Sequence, residues 1–150
     1  MEKIMQNVLY VSLSLVMGVM LSIYLPMNSS VSRYLGSPFS ANISFFLIAF
    51  ITAILIFVLF GDYKTISNIK DVPPYLYLSG FVAAFMVLGT TFLIPKLGAR
   101  RFFILTITGQ ILMAIIVSHF GALESPKDPI TLKKLFGAAL IIVGAAFSTS

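Results

Sequence analysis

Charge is so sparse along this chain that whole stretches long enough to cross a lipid bilayer carry none. The fifteen charged side chains leave uncharged segments at 4–32, 34–61, 72–95, 102–123 and 135–150. A membrane-spanning helix needs roughly 17–25 mostly apolar residues. Four of the segments meet that length, and the fifth, at sixteen, falls just short. Apolar residues make up 59% of the chain and charged ones 10%. A water-solvated domain carries about 45–50% and about 25%, so a soluble globule is excluded.

The runs are continuously apolar, whereas a membrane β-barrel alternates polarity over segments of about ten residues. The expected fold is therefore an all-α integral membrane protein, a single transmembrane domain over 1–150. Its five helices are expected at approximately 6–34, 39–60, 74–94, 99–120 and 131–148. The first apolar run far exceeds the 7–15 residues of a signal-peptide core, and it is read as a retained helix. The last span is short, and Lys133 and Lys134 can snorkel to bring it to bilayer width.

The net charge of +5 sits in short loops between apolar spans. Lipid phosphates are therefore the expected partners of the basic residues, and nucleic acid is not. With five spans, Lys3, Lys64, Lys70, Lys127, Lys133 and Lys134 share one side, and Arg33, Lys96, Arg100 and Arg101 the other. Six against four favours a cytoplasmic N-terminus only weakly. Such a bias fits both a fixed orientation and a chain that inserts both ways.

No cysteine and one histidine leave no thiolate or histidine metal site, and neither a metal nor a cofactor is expected. No nucleophile and base are paired in the sequence, so an enzyme is not expected either. No Asp, Glu, Lys or Arg lies well inside a span, although buried charges are what ion filters and carboxylate-driven antiporters use. The interior polar groups are neutral: Asn28, Asn42 and Ser44, then Thr106, Gln110 and Ser118 at helical spacing. Asn28, Ser44, Phe45, Thr106 and Gln110 are the candidate solute contacts, with Tyr24 a further aromatic on the same faces. Bonding between neighbouring helices is the alternative role for the amides. Pro26 is the candidate hinge, because proline frees a backbone carbonyl and bends a membrane helix. Ser22, Asn28, Ser29 and Ser30 stand close enough to satisfy that carbonyl. His119 is a candidate for proton coupling, with an interfacial histidine bonded to water or headgroups as the alternative.

Small residues let membrane helices approach closely. Ser14, Gly18 and Ser22 recur every four residues, and Gly80 pairs with Ala84. Gly137 and Gly144, seven apart, share one face of the last helix. That face is the candidate dimer surface, and ordinary packing within one bundle is the alternative.

The run LKKLFGAALIIVGA at 132–145 resembles the closing helix of the drug/metabolite transporter superfamily. Asn28 with Leu35-Gly36-Ser37-Pro38 and Ser44-Phe45 resembles the first connection of its small YdcZ-like five-helix group. Pro95-Lys96-Leu97-Gly98, Gly109-Gln110 and Phe120-Gly121 resemble the group's third-to-fourth helix region. The chain departs from the group at His119, where Asp is common, and in having no tryptophan. The resemblance implies one half of an inverted-repeat transporter in the bacterial inner membrane. Such a half would pair with an inverted copy or a homologous subunit and move a small-molecule solute by alternating access. A non-transporting membrane subunit or a lipid-flipping accessory protein is the rival expectation.

Overall fold

The computed structural model describes the backbone of residues 2–149 and the side chains of residues 4–149. Its long elements are five α-helices: α1 (Glu2–Leu35), α2 (Pro38–Phe60), α3 (Leu78–Leu97), α4 (Ala99–Phe120) and α5 (Leu132–Thr149). No strand occurs among the described residues. Five spans are long and apolar enough to cross a membrane, the third beginning at Pro74. The contacts divide the chain into two compact units, Met1–Lys96 and Leu97–Ser150.

In the first unit, α1 and α2 pack side by side through a two-residue connection. Gly36 takes φ +70° there, a conformation that costs other residues about 1–2 kcal/mol. Ser37 then caps α2 by accepting the Ser40 N–H on its side-chain oxygen at 3.4 Å. Pro38 opens the helix at a position where a missing N–H costs nothing. After Phe60 a 3-10 segment, Tyr63–Asp71, is tied down by two phenols. Tyr63 Oη donates to the Val58 carbonyl at 2.9 Å and Tyr77 Oη to that of Ile69 at 2.7 Å.

The third helix does not stop before Pro95 as the sequence suggests, but runs through it to Leu97. Proline cannot donate to the carbonyl four residues back, which here belongs to Thr91. Ser29 Oγ, on α1, donates to that carbonyl at 3.4 Å. A hydroxyl from another helix thus replaces the missing N–H, and the helix continues.

In the second unit, Gly98 with φ +78° opens α4 and Gly121 with φ +64° closes it. The Gly121 N–H caps the Ser118 carbonyl at 3.3 Å. The returning loop is held to the end of α4 by two backbone donors. The Asp128 N–H reaches the Ser118 carbonyl at 2.8 Å, and the Ile130 N–H reaches His119 Nδ1 at 3.1 Å. Lys134 forms an ion pair with Asp128 and donates to the Pro129 carbonyl at 2.8 Å. These bonds bring α5 back against α4. The residues that α5 buries are Ala138 and Ala145.

Candidate functional site

Two neighbouring helices rarely close the space between them when bulky and small side chains alternate along the seam. Between α1 and α2 such a space forms a groove of about 510 Å³. From α1 it is lined by Tyr24, Met27, Asn28, Val31 and Leu35, and from α2 by Ser44, Phe45, Ile48 and Ala49. The α1 positions follow the three- and four-residue spacing of one helix face. Asn28, Ser44 and Phe45 therefore meet in one place, although α1 and α2 are separate segments of sequence.

The groove wall is aromatic on one side. Tyr24 stacks on Phe45 with ring centroids 5.8 Å apart and planes 19° from parallel. Phe45 in turn meets the edge of Phe46 at 5.2 Å. Asn28 is 6% exposed, and its Nδ2 donates to Thr91 Oγ1 at 2.8 Å. Thr91, 2% exposed, is the largest fully buried side chain among the described residues. Together with the Ser29 bond to the Thr91 carbonyl, this joins α1 to α3 directly behind the groove.

Pro26 lies half-buried within α1, two residues before Asn28. Its ring leaves the Ser22 carbonyl without its usual intrahelical donor. None of the nearby polar side chains bonds there. Ser22 Oγ donates to Gly18 and Ser30 Oγ to Pro26, while Asn28 and Ser29 both go to Thr91. The compensation expected at Pro26 is thus found at Pro95 instead.

The remaining candidates belong to the second unit. Thr106 is half-buried on α4, and Gln110, at the middle of that helix, is exposed with no side-chain hydrogen bond among the described residues. His119 is half-buried at the end of α4, its Nδ1 accepting the Ile130 N–H and its ring edge-on to Phe120 at 4.8 Å. A smaller groove of about 280 Å³ lies beside it, lined by Ile111, Ala114, Ile115, Ser118, Asp128 and Lys134. A Cβ added at Gly137 or Gly144 would meet nothing within 4 Å. The glycine strip is therefore open, one residue around the helix from the buried alanines.

Thr91 went unnoticed in the sequence, yet it organises the site. Its position four residues before Pro95 was the available signal, because proline frees that residue's carbonyl. Asn42, one of the interior polar groups expected from the sequence, lies outside the groove lining, and its Oδ1 is enclosed and accepts no hydrogen bond among the described residues.

Residues 9–147 match the family described as "Putative inner membrane exporter, YdcZ". No curated protein and no solved structure is significantly similar to the chain. With nearly the whole length matched and five helices able to span a membrane, the chain belongs to the YdcZ family of inner-membrane exporters, of the drug/metabolite transporter type.

Proposed function

We propose that the chain exports a small organic solute as an antiparallel dimer working by alternating access. The observation that carries this reading is the convergence of Asn28, Ser44 and Phe45 on one largely apolar groove. Neutral polar groups in an apolar cleft suit a solute that must be bound and then released, since each bond is modest.

The dimer follows from parity and from an unpartnered amide. Five is an odd number of spans, so an upside-down second copy, or an inverted homologous subunit, builds the inverted repeat on which alternating access turns. Six basic residues against four place little bias against either insertion. Gln110 sits halfway along α4 without a side-chain partner among the described residues. An amide left unbonded in hydrocarbon costs about 4–8 kcal/mol on a water-to-cyclohexane scale. A second copy or the solute itself removes that cost, and the open Gly137 and Gly144 strip lets another backbone approach.

Pro26 serves as the bending point, because the Ser22 carbonyl takes no side-chain donor that would brace it. His119 is the proposed point of proton coupling, its Nδ1 holding the loop through the Ile130 N–H. Asp128, in that loop, and Lys134, at the start of α5, are paired with each other.

Single cysteines test the arrangement directly, because the chain has none of its own. Ser67→Cys and Ser125→Cys on one side, and the exposed Tyr34→Cys on the other, leave the charge balance unchanged and should each react with a membrane-impermeant maleimide in about half the molecules of intact cells. Labelling of one set only would overturn the antiparallel dimer. Gln110→Ala should lower extrusion about tenfold while leaving the amount of folded protein unchanged. Undiminished extrusion would remove Gln110 from the site.

A further inference from the structure

At Asn28 and Ser44 the groove between α1 and α2 offers a ligand acceptors only, the Tyr24 phenol being the donor that its lining keeps, and the reason lies in where two hydroxyl protons go. Thr91 Oγ1 donates to the Val87 carbonyl at 2.8 Å, one turn back in α3. Its single proton is then spent, so the same oxygen can only accept from Asn28 at 2.8 Å. The Asn28 amide must therefore turn its NH2 toward Thr91, which fixes an orientation that distance alone does not. What Asn28 has left for the groove is Oδ1, and that atom takes no hydrogen bond among the described residues. Ser44 repeats the pattern: its hydroxyl donates to the Ala41 carbonyl at 2.9 Å, and only lone pairs remain.

No carboxylate, ammonium or guanidinium lines the groove. A charged solute would enter without a counter-charge, in surroundings where unpaired charge is costly. An anion would also face two acceptor oxygens. A solute with no donor would leave both oxygens unpaired, which costs about 1–3 kcal/mol for each buried group.

We infer that the groove selects neutral, aromatic solutes that carry an N–H or O–H donor. Asn28 Oδ1 and Ser44 Oγ receive the donor, and the Tyr24 and Phe45 rings take the flat apolar body. The use of the groove for export rests on the reading proposed above, whereas the preference for donors rests on the groove alone.

A matched pair of probes separates the two. N-phenyl-1-naphthylamine is neutral, aromatic and has one N–H; its N-methyl derivative keeps the rings and loses the donor. Both fluoresce on transfer to apolar surroundings, so binding to the chain in lipid nanodiscs is read against empty discs. The N–H probe should bind about tenfold more tightly, the effect of one satisfied acceptor. Ser44→Ala should cut that ratio to about threefold. The variant should fold normally, since the hydroxyl bonds only within its own helix. Equal binding of the two probes would overturn the donor preference, and a ratio unchanged by Ser44→Ala would overturn its placement in this groove. In either event export itself would stand. A preserved preference with no faster loss of the N–H probe from cells making the chain would count against the exporter reading instead.

Discussion

Cells carrying only an orientation-locked form of the chain should extrude no more solute than cells without it. Removing Arg33 and Arg100 as alanines leaves six basic residues against two and fixes the N-terminus in the cytoplasm. Replacing Lys64, Lys70, Lys127 and Lys133 by alanine leaves two against four and fixes the reverse. None of these side chains holds the fold: Arg33 reaches only Ser30, on its own helix, at 2.9 Å. Each locked form alone should fall at least tenfold in extrusion, and making both in one cell should restore it. A single locked form with full activity would refute the antiparallel dimer.

The second large effect is on stability and centres on the bond behind the groove. Thr91→Val keeps the shape of the side chain but leaves the Asn28 NH2 enclosed without an acceptor, at a cost of about 1–3 kcal/mol. Asn28→Leu removes the other partner. Because each single change damages the same bond, the double variant should cost less than the sum. The coupling should be about 0.6 kcal/mol and at most about 1.7, the average and the maximum measured between membrane helices. Unfolding in mixed micelles measures all three forms, and strict additivity would mean that the bond joining α1 to α3 contributes nothing.

The helices were legible because hydrocarbon imposes a simple condition on sequence: long runs without charge. Which face of each helix turns inward was not. In water, apolar and polar faces differ sharply, but in a span such as α5 nearly every face is apolar. Gly137 and Gly144 have the same seven-residue spacing as Ala138 and Ala145, and spacing alone cannot choose between the two strips. The structure buries the alanines. Pro95 illustrates the same gap between local and distant information. Its effect on its own helix is local and suggests a stop, whereas the hydroxyl that cancels the effect arrives from Ser29, more than sixty residues earlier.

The groove was legible in part. Asn28, Ser44 and Phe45 stood out as neutral polar or aromatic groups near the first connection, and the tight turn at Gly36 and Ser37 sets them face to face. The hydrogen-bond polarity of that groove could not be read, because it depends on Val87 and Ala41 carbonyls consuming hydroxyl protons. Gln110 is conspicuous in sequence, yet its exposure on α4 depends on what packs against that helix.

The five spans are far from equal in length. At 34 residues α1 extends about 51 Å, and at 18 residues α5 extends about 27 Å, against a hydrocarbon layer about 30 Å thick. One protein thus asks the surrounding lipid to stretch or let a rod lean at one place and to thin at another. The fit of the protein to its bilayer thereby depends on acyl-chain length, which a cell adjusts whenever it remodels its fatty acids.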